Sequence, residues 1–259
     1  MTPSAIEAAA MHLLAARRHR RPAPRLPKAS RPANDDEALA IQRRVALLLG
    51  EPVGGWKCSL PTSDKTLVAP IYAGTIAKTS PCPVPAFDTW ARIEPEIAFV
   101  LARDLPRRST PYSEDDVRAA VGEVRLVLEL MGSRYMDPTK LPFPEMLADS
   151  ANNYGLFLGP AVARGLDRTL DAFPLKIAGP SGAILARDGA HPDGHPLRPL
   201  TWLANWFGSN PAGWTQGLTA GQVITTGSYA GALDVPLATP LTITFGDLGK
   251  IEVTLIPVG

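Results

Sequence analysis

The sequence predicts an α+β protein in which a helical N-terminal part precedes a body built on a closed or rolled sheet. Three observations carry that expectation. After residue 90 the chain reads as many short extended runs with few helices. Strands and helices do not alternate in the βαβ manner of a parallel sheet. The 27 prolines and 22 glycines imply frequent turns, the punctuation of a β-rich body.

In chain order, residues 4–19 read as a helix, because Ile6, Ala9, Ala10, Leu13 and Leu14 recur at helical spacing. "RRHRRPAPRLPKASRP" breaks that pattern with proline and charge and reads as a solvated connector. "NDDEALAIQRRVALLLG" restarts a helix, with Asn34 as N-cap, Glu37 three residues on and Gly50 at the stop. Its expected buried stripe is Leu39, Val45, Leu48 and Leu49. "VGGWKCSLP" is a short strand, and residues 68–90 are Pro-rich with short extended pieces. "RIEPEIAFVLARDL" is a strand in which Pro95 predicts an edge or a bulge. "SEDDVRAAVGEV" is a helix capped by Ser113, leading into the strand "RLVLELMG". "PFPEMLADSANNYG" is a short helix and a loop. The remaining strands are "LFLGPAVA", "PLKIAGP", "AILARDG", "QVITTGS", "PLTITFGDLG" and "KIEVTLIPV", with one helix at "RPLTWLANWFG" and a hairpin turn at residues 246–249. This divides the chain into a helical N-terminal region with a Pro/Arg-rich connector, residues 1–85, and a β-rich catalytic domain, residues 86–259.

Composition excludes several classes. A net charge of +1 points to no nucleic acid and no anionic membrane as partner. Cys58 and Cys82 stand alone without CxxC spacing or a neighbouring His, so neither a disulfide scaffold nor a zinc site is expected and a reducing cytoplasm fits. "AIEAAAMHLLAA" is short, and basic residues follow rather than precede it, so no signal peptide is expected. No apolar run approaches the roughly 18 residues of a membrane span.

The chemistry-bearing pattern is a set of carboxylates. Glu94 and Glu96 lie two apart in an otherwise apolar strand, so they share one face with Cα atoms roughly 7 Å apart. Glu129 interrupts "LVLELM" in the same manner. Two arrangements satisfy this pattern. Each glutamate faces solvent or an arginine, or the three gather a hard divalent cation such as Mg²⁺ or Mn²⁺, which takes oxygen ligands. No His or Cys accompanies them, which disfavours zinc.

"RIEPEIAFVLARDL", "LVLELMGSRY" and "LADSANNYG", together with "DDEALAIQ", "GGWKCSL", "HPLRPLTWLANWF", "LTAGQVITTGS" and "FGDLGKIEVTL", resemble in order the hydratase and decarboxylase branch of the fumarylacetoacetate hydrolase superfamily. Its members include 2-keto-4-pentenoate hydratases and 4-oxalocrotonate decarboxylases. The resemblance implies a mixed β-roll or barrel with a helical N-terminal part, a Mg²⁺ or Mn²⁺ centre and a homo-oligomer. It assigns the metal ligands to Glu94, Glu96 and Glu129, the active-site lysine to Lys57, and the substrate loop to Thr226, Gly227 and Ser228. Ser133 and Arg134 match the serine and arginine after the third ligand, with Arg134 read as an ion-pair partner. Asp149 is read as a catalytic group or a helix-end cap. Three departures stand out. Gly132 and Ile71 occupy slots that are commonly acidic in the family, and Ser150, Asn152 and Asn153 alter the usual "ADNASS".

The implied activity is that of a metal-dependent lyase of aromatic catabolism, a hydratase or decarboxylase acting on a small 2-oxo (2-hydroxydienoic) acid through a metal-stabilised enolate. Lys57 would be a second positive centre or a proton donor, with a pKa lowered by the nearby cation. Two other readings share the residues: an acylpyruvate C–C hydrolase, and a weakly active partner subunit of a sister hydratase or decarboxylase. His191 and His195 read as part of a solvated loop, and Trp202 and Trp206 as core or subunit contact.

Overall fold

The computed structural model describes residues 1–209 and 217–258. The N-terminal part is α1 (Pro3–Arg18) and α2 (Asp35–Leu49). Asn34 caps α2 by accepting the Glu37 N–H at 3.0 Å, and Asp35, Asp36 and Glu37 complement the positive end of the helix dipole. The buried stripe of α2 is Ala38, Leu39, Ile41, Gln42 and Val45. Leu39 and Val45 are buried as expected, whereas Leu48 and Leu49 are only half-buried and Ala38, Ile41 and Gln42 complete the stripe.

Next come β1 (Val53–Cys58), β2 (Val68–Tyr72), β3 (Ile76–Ala77), β4 (Cys82–Val84), β5 (Trp90–Leu101) and β6 (Leu105–Pro106). They are followed by α3 (Glu114–Ala120), β7 (Val121–Met131), α4 (Phe143–Ala148), β8 (Asn153–Ala161), β9 (Ala172–Gly179) and β10 (Gly182–Ala190). The chain continues through α5 (Leu197–Ser209), β11 (Gly217–Leu218), β12 (Val223–Ser228), β13 (Leu233–Pro236), β14 (Pro240–Phe245) and β15 (Gly249–Pro257). Ser113 and Asp116 close a reciprocal capping box on α3, which ends at Ala120, so Val121 already belongs to β7. Among the described residues no helix is long and apolar enough to cross a membrane.

The main sheet has the order β2-β1-β12-β5-β7-β8-β3, with β13 also paired to β5. It is mixed: β1 with β12 and β3 with β8 are parallel, the rest antiparallel. It curls into a half-barrel, as the α+β expectation required. A second sheet, β10-β9-β14-β15-β4, contains the hairpin foreseen at residues 246–249. Residues 53–72 therefore share their sheet with residues 90–131.

Pro95 does not mark an edge. β5 is a central strand, and Pro95 sits where its partner changes from β12 to β13. There the β12 register breaks between Thr225 and Ser228, and the Pro95 carbonyl accepts the Tyr229 N–H at 3.1 Å. This is the bulge alternative, placed at a changeover between partners.

The two faces of the main sheet bury different things. One carries the large core, where α5 lays Phe207 against Trp56 with ring centroids 4.9 Å apart. Trp202 and Trp206 pack half-buried on this core. The other carries a small apolar cluster of Ile71, Ala98, Val127, Leu156, Leu158 and Val223. Alternation along β5 and β7 puts Glu94, Glu96 and Glu129 on the face of Ala98 and Val127, at the end of that cluster.

Candidate metal centre

Glu94 and Glu129 are directly opposed across the β5–β7 pair, and Glu96 is one pleat along. One carboxylate oxygen from each of the three lies within 4.8 Å of the others. Glu96 and Glu129 are buried and Glu94 is half-buried. Lys57, on β1, reaches into the group. Its Nζ donates to Glu129 Oε1 at 2.7 Å and to the Ala151 carbonyl at 3.4 Å, and stands 3.8 Å from Glu94 Oε2. The Gly227 N–H donates to Glu96 Oε2 at 3.2 Å.

The electrostatics follow from burial and crowding. Burial, then the charges of Glu129 and Glu94, push the Glu96 carboxyl well above the usual carboxylate range. Glu129 is also raised, by burial first, with Lys57 opposing and Glu94 adding. On Lys57 burial disfavours the ammonium, but Glu129, Glu94 and Glu96 together outweigh it, so its pKa is raised. Among the chain's own charges this runs opposite to the expected lowering. Glu129 Oε2 is buried without a hydrogen bond of ordinary geometry, although the Asn153 side chain beside it favours the ionised form.

With all three carboxylates ionised, one ammonium leaves two negative charges uncompensated, and the raised pKa values of Glu96 and Glu129 express that crowding. An all-oxygen donor set with an orphaned carboxylate oxygen fits a hard divalent cation, which would restore neutrality.

The other expected residues divide. Thr226 is fully buried and its hydroxyl meets His191 Nε2 at 3.3 Å. Gly227 adopts φ +133°, and a Cβ there would stand 2.9 Å from Pro192 Cγ, so glycine is needed to present its N–H to Glu96. The Ser228 hydroxyl is engaged by the Pro95 carbonyl of β5 and the Gly231 carbonyl of its own turn. Asp149 lies apart from the carboxylate group. Its carboxylate accepts from the Ser133 hydroxyl at 3.1 Å, from the Arg134 N–H at 2.8 Å and from Arg134 Nε. Arg134 is the ion-pair partner its reading foresaw. Asp149 opens a turn in which Ser150, Ala151 and Asn152 all have positive φ, a strained left-handed run. That turn delivers the Ala151 carbonyl to Lys57.

The altered slots have physical causes. Ile71 is wholly buried in the apolar cluster beside the carboxylates. A Cβ on Gly132 would stand 2.5 Å from Pro85 Cγ, so an aspartate does not fit there.

His191 was missed. It is 4% exposed rather than solvated, and nothing in "GAHPDGHPL" distinguishes it from a surface histidine. Its Nδ1 accepts the Asp193 N–H at 3.1 Å, so in the neutral ring the proton sits on Nε2 and is donated to Thr226. Burial lowers its pKa to about 4, against the opposing charges of Asp193 and Asp171. The native state therefore holds His191 neutral while the unfolded chain protonates near 6.5. Stability should fall as pH drops from about 6.5 to about 4, by up to about 3 kcal/mol from this residue. Urea midpoints of wild type and His191→Asn across that window check this; the difference between the two proteins should change as pH falls, because the variant lacks the His191 share of the dependence.

No family model matches the chain. The fold is of the fumarylacetoacetate hydrolase type. The structure superposes on 4-oxalocrotonate decarboxylase from Pseudomonas putida G7, a complex with magnesium and adipate, with a TM-score of 0.77 and 19% identity over 99% of both chains. In sequence the chain is 37% identical over 115 residues to a 2-keto-4-pentenoate hydratase of Paraburkholderia xenovorans, a stretch spanning 44% of this chain and 41% of that one. It is 27% identical over 242 residues to a 2-oxo-hept-4-ene-1,7-dioate hydratase of Escherichia coli, covering 84% and 85%. The resemblance to the hydratase and decarboxylase branch thus holds in sequence and in fold.

Proposed function

We propose that the protein is a divalent-metal-dependent lyase acting on a small 2-oxo acid of the 2-hydroxydienoic or 2-oxo-diacid class. The observation that carries this reading is the gathering of Glu94, Glu96, Glu129 and Lys57 on one sheet face at the end of a small apolar cluster. Glu94, Glu96 and Glu129 would hold Mg²⁺ or Mn²⁺. When bound, such a cation supplies Lewis-acid stabilisation of negative charge developing on a substrate oxygen.

The chain's own groups do the rest. Lys57, kept charged by its three carboxylate neighbours, attracts a substrate carboxylate or holds a proton at Nζ for delivery to carbon. The Gly227 N–H fixes the orientation of Glu96. With its Oγ1 taking the His191 proton, the Thr226 hydroxyl is free to donate its own hydrogen elsewhere. Ile71, Val127, Leu156 and Leu158 pack against one another beside the carboxylates and keep water from that side of the group.

Between the two lyase reactions, the geometry favours loss of CO₂ over addition of water. Ile71 and Gly132 bring no polar group, and Asp149 is fully engaged by Arg134 and Ser133. Hydration needs groups that position and activate water.

The test is a turnover screen over 2-oxo diacids, 2-hydroxydienoates and acylpyruvates, with Mg²⁺, with Mn²⁺ and with chelator. Cation-dependent CO₂ release from a 2-oxo diacid is expected. Hydration of the dienoates would reverse the order of the two reactions, and acylpyruvate cleavage would replace lyase by hydrolase. No turnover on any class, unless a sister enzyme is added, would mark a partner subunit.

A further inference from the structure

On the face of the sheet away from the carboxylates, two adjoining cavities of about 480 and 370 Å³ share Arg17, Arg20, Tyr154 and Val258 in their walls. Leu130, the residue after Glu129 in β7 and so on the opposite face, lines the larger one. The charged residues of the combined lining are Arg17, Arg18, Arg20, Arg21 and Arg134 against Glu51 alone.

Some of that charge is already used. Arg134 pairs with Asp149, and Arg18 donates to the Leu48 carbonyl at 3.0 Å. Arg17 is different. It is half-buried, and its guanidinium lies 4.9 Å over the Tyr72 ring and makes no hydrogen bond or ion pair with any described residue. Burial, then the positive charge of Arg134, lowers its pKa to about 10, which marks a cation short of counter-charge.

Two further donors point the same way. The hydroxyl of Tyr72, in the wall of the larger cavity, and that of Tyr135, in the wall of the smaller, are buried without a hydrogen-bond partner. Buried hydroxyls normally find an acceptor. Water would accept hydrogen bonds from the phenols and the guanidinium but would leave the guanidinium charge unbalanced. An oxyanion supplies acceptors to all three and neutralises Arg17, with the planar fork of arginine suited to carboxylate and phosphate alike.

We propose that these joined cavities are a binding site for a small multiply charged oxyanion, a dicarboxylate or a phosphate, held by Arg17 and the Tyr72 and Tyr135 hydroxyls. The proposal is independent of the carboxylate centre. The site nevertheless touches it through the chain Arg134, Asp149, the turn at residues 150–152 and the Ala151 carbonyl on Lys57.

Calorimetric titration of the full, chelator-treated chain at low salt with inorganic phosphate and, separately, with succinate tests it. Saturable one-to-one binding of at least one probe is expected; which probe binds more tightly identifies the source. Arg17→Met should weaken that binding at least tenfold, Arg17→Lys less, and Tyr72→Phe severalfold. Arg92→Met, which removes a surface arginine paired with Asp234, should leave it unchanged. Absence of saturable binding of both probes, or an Arg17→Lys protein of native melting temperature that binds as wild type alongside a folded Arg17→Met that does the same, overturns the proposal. Loss of a native oligomer in Arg17→Met without any probe binding to wild type would also overturn it, by showing that a second copy fills the cavity.

Discussion

Lys57→Met is expected to destabilise the metal-free protein by about 3–5 kcal/mol, the usual cost of removing one partner from a buried ion pair. Methionine fills nearly the same volume, so little of the loss is packing. What is lost is the cation lying among three carboxylates, two of them buried. For a chain of this length the melting temperature should drop by roughly 10 °C. The deficit should shrink in two ways. Acidification favours the neutral forms of Glu96 and Glu129, whose folded pKa values lie above their unfolded ones. A carboxyl with a raised folded pKa destabilises the native state above that pKa, and the penalty disappears as pH falls toward the unfolded value. His191 contributes equally to both proteins and cancels from the difference. Divalent cation at about 100-fold its Kd should raise the variant by roughly 2.7 kcal/mol, recovering much of its deficit against metal-free wild type. Turnover should fall at least 100-fold even with saturating cation, the scale of a lost acid–base group. Thermal denaturation with and without chelator, at pH 5 and 7.5, reads the stability terms. A pH- and metal-independent loss of stability would reject the charge-balance account of Lys57.

How much of this was legible in the sequence depends on the range of the interaction. Helix caps are local, and Asn34, Ser113 and the turn at residues 246–249 were readable because the donors and acceptors lie within four residues of one another. The two-residue period put Glu94 and Glu96 on one face, as observed. That Glu129 stands opposite Glu94 was not readable. It depends on the register of β5 against β7, which the periodicity of either strand leaves open by steps of two. The resemblance supplied that link. The partner change at Pro95 is likewise a tertiary fact, since the sequence signals a missing N–H but not whether an edge or a changeover accommodates it.

The misreadings share a cause. His191 was expected in solvent because its neighbours are proline, glycine and aspartate. Its burial comes from packing against Thr226 and Tyr229, far along the chain. The α2 stripe was expected at Leu39, Val45, Leu48 and Leu49; the structure buries the first two and adds Ala38, Ile41 and Gln42, whose amide donates to the Val68 carbonyl at 3.2 Å. A polar residue in a buried stripe is invisible until its acceptor on another strand is known.

The second large effect is expected from Glu96→Gln, and its signature is a pair of opposite shifts. Gln is isosteric and its Oε1 can still accept the Gly227 N–H. It removes one of three crowded negative charges from a residue 1% exposed. Without metal, the variant should therefore be as stable as wild type or more stable by about 1 kcal/mol at pH 7.5, because the desolvation and repulsion that raise the Glu96 pKa are relieved. With metal the order should invert. One anionic ligand of three is gone, so Mn²⁺ affinity should fall at least 100-fold, and turnover of the 2-oxo acid at least 1,000-fold, several kcal/mol of transition-state stabilisation. A glutamate that merely faced solvent or an arginine would show neither shift, and one that merely packed would lose stability in both states. Mn²⁺ titration followed by calorimetry, with melting curves of the chelated and loaded proteins, separates the three. If Glu96→Gln binds Mn²⁺ and turns over substrate as wild type does, the carboxylates hold no catalytic cation, and the lyase reading loses its foundation.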